Sequence, residues 1–412
     1  MLQFERFILS NGLRVIVHED KATPMVAMNV LYDVGARDEE PNRTGFAHLF
    51  EHLMFGGSIN IPEYDEPLQM AGGENNAYTT NDITNYHIQL PLKNIETAFW
   101  LESDRMLSLA FSEKSLDVQR KVVCEEFKEH YLNKPYGDAW HQLRLLAYKT
   151  HPYQWPTIGK DLQQIEEAQL EDVKAFFSKH YNPLNAVLCL AGDVSVETAR
   201  ELSEKWFGSI PAGEKYVRQL PSEPRQEGDR MHTIDADVPL DALYKAWHMQ
   251  GRLTAPYYAT DLITEVMGSG FSSRLYQRLV KEEQLFSNIN CYHTGSLDPG
   301  LVVIEGKIRE GKSIEQANDA VDAEVAKLLA GGVTESELQK SKNKIEAIIA
   351  FEDMTLLSRA NNLAFYELMG DAKLINEEWA RYQAVTSASL LETAQELFRK
   401  GNMSTLFYRK KQ

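Results

Sequence analysis

Two stretches half a chain apart end in the same way. FFSKHYNPLNAVLCLAGD, reading to residue 193, and LFRKGNMSTLFYRK, reading to residue 410, each run from the end of a helical segment through an asparagine into an apolar strand. Asn182 and Asn402 take corresponding places. Near the front of each half AHLFEHLMFG aligns with TDLITEVMGS, so that Leu49 meets Leu262 and Met54 meets Met267. Two loose matches at nearly equal offset point to a duplicated domain. Between the halves lies PAGEKYVRQLPSEPRQEGDR, residues 211–230, with three prolines, two glycines and eight charges. Such a stretch has too few apolar anchors to fold by itself and reads as a linker. The expected organisation is a domain over 1–210, a linker over 211–230 and a homologous domain over 231–412. A length of 412 residues suits two domains.

Each half mixes two periodicities. Leu13 to His18 and Val26 to Val34 are rich in strand formers, and Tyr86, Ile88 and Leu90 alternate with His87 and Gln89, as in a half-buried strand. Residues 113–132, 161–180 and 314–330 carry helical spacing. Strand groups followed by helix groups predict an α+β fold with a mainly antiparallel sheet packed with helices in each domain. A net charge of −17 argues against a nucleic-acid partner. No apolar run reaches the length of about 20 residues that a membrane span needs. Cys124, Cys189 and Cys291, odd in number and widely spaced, give neither a disulfide framework nor a cysteine metal site. The opening MLQFERFILSNG places a Glu and an Arg where a signal peptide has its apolar region. The expected compartment is the cytoplasm, or the periplasm if a leader has been removed.

The chemistry is concentrated in His48-Leu49-Phe50-Glu51-His52. Thr44 is the expected cap of a helix of about three turns that Gly56-Gly57 ends. At a spacing of four, the two imidazoles project from one helix face, one above the other. That arrangement suits tetrahedral zinc with nitrogens at about 2.0–2.1 Å. Glu51 shares the side of the helix, close enough to serve a water on the ion without ligating the ion. Zinc lowers the pKa of a bound water to about 7 and polarises a scissile carbonyl. A carboxylate beside that water takes its proton and passes it to the leaving amine. His-x-x-Glu-His is the inverted form of the zinc-peptidase motif.

A third ligand is needed, and VQRKVVCEEFKEHYLN offers Glu125, Glu126, Glu129 and His130. Glu126 follows Val122 and Val123 at helical spacing, on the apolar stripe, where an unpaired carboxylate is costly and a cation would neutralise it. Glu125 and Glu129 fit solvated positions or the shell around the ligands.

With these pieces the chain resembles the pitrilysin, insulin-degrading enzyme and mitochondrial processing peptidase family of zinc peptidases, and most closely its short bacterial members. The resemblance is carried in order by NGLRVIV, GFAHLFEHLMFGGS, AGGENNAYTTNDITNYHIQLP, LESDRM, VVCEEFKEHYLNKPYG and GSGFSSRLYQRL. It implies zinc held by His48, His52 and Glu126, with Glu51 as general base, and two homologous domains that face each other as a clamshell. It further implies an endopeptidase that cuts oligopeptides or unfolded segments held in extended form. The stretch Gly72 to Thr79 resembles the family's substrate-pairing edge strand, which makes Asn76, Ala77 and Tyr78 the expected contacts with the peptide main chain. Phe55, one turn beyond His52, is a candidate for a side-chain subsite or for the core.

Two positions depart from the family pattern. Many members carry a Glu seven residues before the distal ligand, where this chain has Gln119; Gln119 and Glu129 are the expected outer partners of the metal site. Active members also supply an Arg and a Tyr from the C-terminal half to hold the substrate carbonyl, in a stretch resembling RLYQRLREEKGLAY. Here the stretch reads RLYQRLVKEEQLFS, with Val280 and Ser287 in those places and Arg278 and Tyr276 out of register. The expectation is a zinc-bearing subunit whose related partner supplies the Arg and Tyr, or a homodimer in which other residues, such as Tyr292 and Arg309, take that role. A non-catalytic assembly subunit of the same descent is the alternative reading.

Overall fold

The structure is a computed structural model and describes residues 1–411. It divides into two compact units. The first comprises Met1–Phe127, Pro156–Leu220 and Ile349–Glu378, and the second Lys128–Trp155, Pro221–Ile348 and Trp379–Gln412.

The first unit is built on six strands, β1 (Glu5–Ile8), β2 (Arg14–Glu19), β3 (Met25–Tyr32), β4 (Glu74–Thr79), β5 (Thr84–Pro91) and β6 (Ala186–Gly192). Their order is β1-β2-β6-β3-β5-β4. Only β2 and β6 run parallel; the remaining pairs are antiparallel. The second unit has β7 (Arg230–Ala236), β8 (Ala242–His248), β9 (Phe286–His293), β10 (Leu301–Ile308) and β11 (Met403–Lys410), in the order β7-β11-β8-β10-β9. Here only β7 and β11 are parallel. Without β1, the two sheets have the same order and the same single parallel pair. The fold is α+β, and the repeat read from the sequence is a repeat of topology.

The register of that repeat differs from the one the sequence suggests. Asn402 precedes β11 and donates its amide to the carbonyls of Leu397 and His248 at 2.7 and 2.9 Å. The residue that does the same before β6 is Asn185, which donates to His180 and Asp33 at 2.9 and 3.1 Å. Asn182 only closes a local turn onto Lys179.

In each unit a helix from the other half of the sequence packs on the sheet. In the first unit, Ala360, Leu363 and Ala364 of helix Leu356–Leu368 meet Ile16, Ala27, Leu31, Val187, Cys189 and Ala191. In the second, Ala139, Leu143 and Ala147 of helix Ala139–Ala147 meet Ala242, Ala246, Val303 and Leu406. Alanines on both sides let helix and strand backbones approach closely. The helical segments follow the sequence with one interruption. Residues 161–180 break into Leu162–Glu166 and Leu170–His180, because the carbonyls of Glu166 and Ala168 turn to the Arg120 guanidinium. The linker forms no helix, and only its last residue, Arg230, belongs to a strand, β7. It is tied by Arg218 to Asp33 and Asp38 and by Glu223, which accepts the backbone N–H groups of Lys149, Thr150 and His151. No helix among the described residues is long and apolar enough to cross a membrane.

Candidate metal centre

The motif helix spans Phe46–Leu53, shorter than the sequence suggests. After Leu53 the chain tightens into three-residue turns, Phe55 onto His52 and Gly56 onto Leu53. Its cap is not Thr44, whose hydroxyl is taken by Gln164 at 2.6 Å. Glu39 performs that task from the preceding turn: its two oxygens accept the N–H groups of Gly45 and Ala47 at 3.0 and 2.8 Å. A carboxylate on orphan donors at the positive end of a helix is stabilising on both counts. Gly45 sits at φ 88° with the Ile158 carbonyl 2.6 Å from where a Cβ would stand, so only glycine serves there. Leu49, Phe50 and Leu53 are buried, and Phe50 lies among Phe111, Phe176, Phe177 and Tyr181. This packing fixes the rotation of the helix and turns His48, Glu51 and His52 to the opposite, half-buried side.

Glu126 comes from helix Glu113–Phe127, at the edge of a buried stripe of Val123 and Phe127; Val122, expected on that stripe, is 41% exposed. The imidazole nitrogens Nε2 of His48 and His52 are 3.3 Å apart. Glu126 Oε2 is 3.4 Å from the His52 nitrogen and 3.8 Å from that of His48. A tetrahedral ion with ligands at about 2.0–2.1 Å holds neighbouring ligand atoms about 3.3–3.4 Å apart. The three atoms therefore form a triangle of the size zinc requires, and they are the only such group among the described residues. Glu125 and Glu129 are exposed, Glu129 in the π-helical turn Lys128–Leu132 that continues the helix. Gln119 is half-buried on the same helix as Glu126.

Glu51 stands beside the triangle. Burial pushes its carboxyl above the usual range, and the Glu126 charge adds to this, while the Thr79 hydroxyl and His52 pull the other way. Thr79 donates to Glu51 Oε2 at 2.5 Å. The strand that carries Thr79, β4, is the edge of its sheet. Glu74, Asn76 and Tyr78 are exposed and alternate with half-buried Asn75, Ala77 and Thr79. The Ala77 N–H donates to the neighbouring Asn76 Oδ1 at 2.8 Å. Phe55, half-buried, packs against Tyr64 and Tyr86. Between those two tyrosine rings, 4.4 Å from each, lies the buried guanidinium of Arg105, ion-paired with Glu102.

Sequence reasoning missed Glu39, Thr79 and Arg105. Thr79 was within reach, because strand alternation puts it two residues beyond Ala77. The Glu102–Arg105 pair has i,i+3 spacing inside LESDRM. Glu39 carries no spacing signal, since it reaches the helix from a turn.

Residues 14–159 match the family profile described as Insulinase (Peptidase family M16), and residues 167–345 match the Peptidase M16 inactive domain. The chain belongs to peptidase family M16. It is 29% identical over 409 residues to the zinc protease PqqE of Helicobacter pylori, covering 98% of this chain and 92% of that one. It is 25% identical to the uncharacterized zinc protease YmxG of Bacillus subtilis, covering 96% and 95%. The crystal structure of a protease from Helicobacter pylori superposes with a TM-score of 0.92 at 28% identity, covering 99% of this chain and all of that one. With these relatives the chain is a zinc protease of family M16, and His48, His52 and Glu126 form a group that could hold the metal ion.

The second unit has no such group among its described residues. By the alignment of the two halves, Asp261 and Glu265 stand where His48 and His52 stand. Asp261 receives the Tyr382 hydroxyl at 2.6 Å and faces His293 at 3.0 Å; Glu265 is paired with Lys344 at 2.6 Å. The protein's own groups hold these carboxylates. Of the two positions where an Arg and a Tyr were expected, Val280 is half-buried and Ser287 exposed, its hydroxyl on the Lys307 carbonyl. Arg278 is paired with Glu282 and Glu283, Tyr276 packs on Phe271, Tyr292 donates to Glu305, and Arg309 is bonded to Gln284.

Proposed function

We propose that this zinc protease is an endopeptidase for oligopeptides or extended protein segments, with Glu51 as general base and His48, His52 and Glu126 as ligands. The observation that carries the reading is the zinc-sized triangle of donor atoms with a carboxylate beside it, next to an open strand edge. Zinc, when bound, supplies acidification of water and polarisation of the scissile carbonyl. The remaining steps fall to the chain. Strand β4 receives the peptide main chain by strand addition through Asn76, Ala77 and Tyr78, with little demand on sequence. The Ala77 N–H exchanges the Asn76 side chain for a substrate carbonyl. Glu51, anchored through Oε2, takes a proton at its other oxygen and returns it to the leaving amine. Phe55 backs this site, and Gln119 and Glu129 stand around the ligands. In this reading residues 1–210 form the peptidase domain, 211–230 the linker and 231–412 the homologous inactive domain.

The oxyanion role is the missing part, since neither Val280 nor Ser287 can donate to a developing charge as Arg and Tyr do. We infer that the chain is the zinc-bearing subunit of a heterodimer whose related partner brings that pair. The assembly-subunit alternative draws on the same loss, but a scaffold has no use for three ligands and a base. The decisive test is Glu51→Gln, which retains one zinc per chain and abolishes peptide cleavage; retained cleavage would remove Glu51 as base. The partner reading is tested by turnover of the isolated chain against a one-to-one mixture with a homologue bearing Arg and Tyr. Equal rates would refute it.

A further inference from the structure

We propose that Thr79 is a positioning residue for the base: its hydroxyl anchors one oxygen of Glu51, leaves the other for the reacting water, and ties the base to the strand that receives the peptide. The inference rests on reading Glu51 as general base. A hydroxyl has one proton, and an ionised carboxylate only accepts, so the direction of this bond is fixed by chemistry. Its acceptor is a carboxylate, which makes the bond charge-assisted. Glu51 receives no other hydrogen bond among the described residues. Its side chain has three rotatable torsions, and His52 and Glu126 both act on its charge. Unanchored, the carboxylate would sample several rotamers, some of which carry it toward the ligand triangle. The anchor restricts it to one.

The position of Thr79 gives the bond a second consequence. Thr79 is the last residue of β4 and lies two residues beyond Ala77, so the two share a side of the strand. A peptide added to the edge at Ala77 stiffens the segment that ends at the anchor of the base. Seating of substrate and orientation of the carboxylate are thereby coupled through two residues of backbone.

The test compares Thr79→Val, which keeps the branched shape and removes the hydroxyl, with Thr79→Ser, which keeps the hydroxyl. Three quantities are read on the full chain, alone or with the subunit that gives turnover: metal stoichiometry, kcat separately from KM, and the visible spectrum of the cobalt(II)-loaded protein. Thr79→Val should still bind one ion, keep KM within about twofold and lose about ten- to a hundredfold in kcat, the scale of a misplaced catalytic group. Its cobalt spectrum should change as the freed carboxylate reaches the ion. Thr79→Ser should stay within about threefold of the parent in kcat and keep the parent spectrum. The proposal is overturned if Thr79→Val turns over normally with an unchanged spectrum, if the serine variant falls as far as the valine variant, or if the valine variant loses the metal. Where neither chain turns over, the spectrum decides. Glu51→Gln separates the two readings: if it still cleaves, the base assignment fails. If it is dead while Thr79→Val is unimpaired, only the role of Thr79 fails.

Discussion

His180 should make this protein sensitive to mild acid, and removing it should remove much of that sensitivity. The residue ends helix Leu170–His180 and is fully buried. It lies between the rings of Phe176 and Tyr216, at 4.7 and 4.6 Å. Neither ring nitrogen has a hydrogen-bond partner among the described residues. Two effects compete there. The helix C-terminus favours the protonated ring by at most about 2 kcal/mol. Burial opposes it, joined by Lys179 and Arg218 and resisted by Asp33, and the pKa falls to about 3. Burial wins. The sign follows: the folded value lies below the solvated value of about 6.5, so the unfolded chain takes the proton first. Stability is fully present above about pH 6.5 and is lost as pH falls toward 3. The ceiling is about 4.8 kcal/mol, and the loss between pH 7 and pH 5 is about 2 kcal/mol. His180→Phe, with His180→Leu as a check on size, should flatten the dependence by that amount. Urea unfolding at the two pH values, followed by tryptophan fluorescence, measures it. The predicted quantity is the difference in slope with pH, because repacking shifts the variant's stability by the same amount at both pH values and so cancels. If parent and variants lose stability in parallel to within about 0.5 kcal/mol, the imidazole is not titrating from a neutral buried state.

Three further outcomes are expected. Chelation should lower the melting temperature, because zinc at a hundred times its dissociation constant stabilises the folded chain by about 2.7 kcal/mol; His48→Ala, scanned with and without chelator, should show no response. Arg105→Met should cost about 3–5 kcal/mol by leaving Glu102 buried without its cation, while the double variant with Glu102→Gln should recover much of the loss in urea unfolding. Ala77→Pro removes the N–H that strand addition needs and should raise KM at least about tenfold with zinc content unchanged; an unaltered KM would place the peptide elsewhere.

The metal centre was legible because its signal is local. The spacing of His48 and His52 and the apolar neighbours of Glu126 are properties of single helices, and two helices suffice to make the site. The fold class was legible for the same reason, since Tyr86, Ile88 and Leu90 announce their strand by alternation. What escaped depends on tertiary approach. Glu39 caps the motif helix from a turn, and nothing in its spacing separates it from Glu40. The spacing of Glu102 and Arg105 does not show that the rings of Tyr64 and Tyr86 enclose the guanidinium. The exact repeat register escaped because Asn182 and Asn185 are alike in sequence. Only their hydrogen bonds show which one spans two elements.

The helices Ala139–Ala147 and Leu356–Leu368 show why reading along the chain cannot find the compact units. Their faces are made largely of alanine, a residue that signals helix but not which sheet the helix will cover. Each lies in the half of the sequence opposite to the sheet it packs on. The sheet layer of the first unit is therefore completed by residues encoded after the linker, although His48, Glu51, His52 and Glu126 are all encoded before it. For the site this arrangement has a direct consequence. Strand β3 contacts helix Leu356–Leu368 and also pairs with β5, which in turn pairs with the edge strand β4. The edge that adjoins Glu51 thus rests on a sheet whose core is closed by the C-terminal half. A chain that kept only the metal half would retain each ligand in sequence and lose part of the packing that holds them in place.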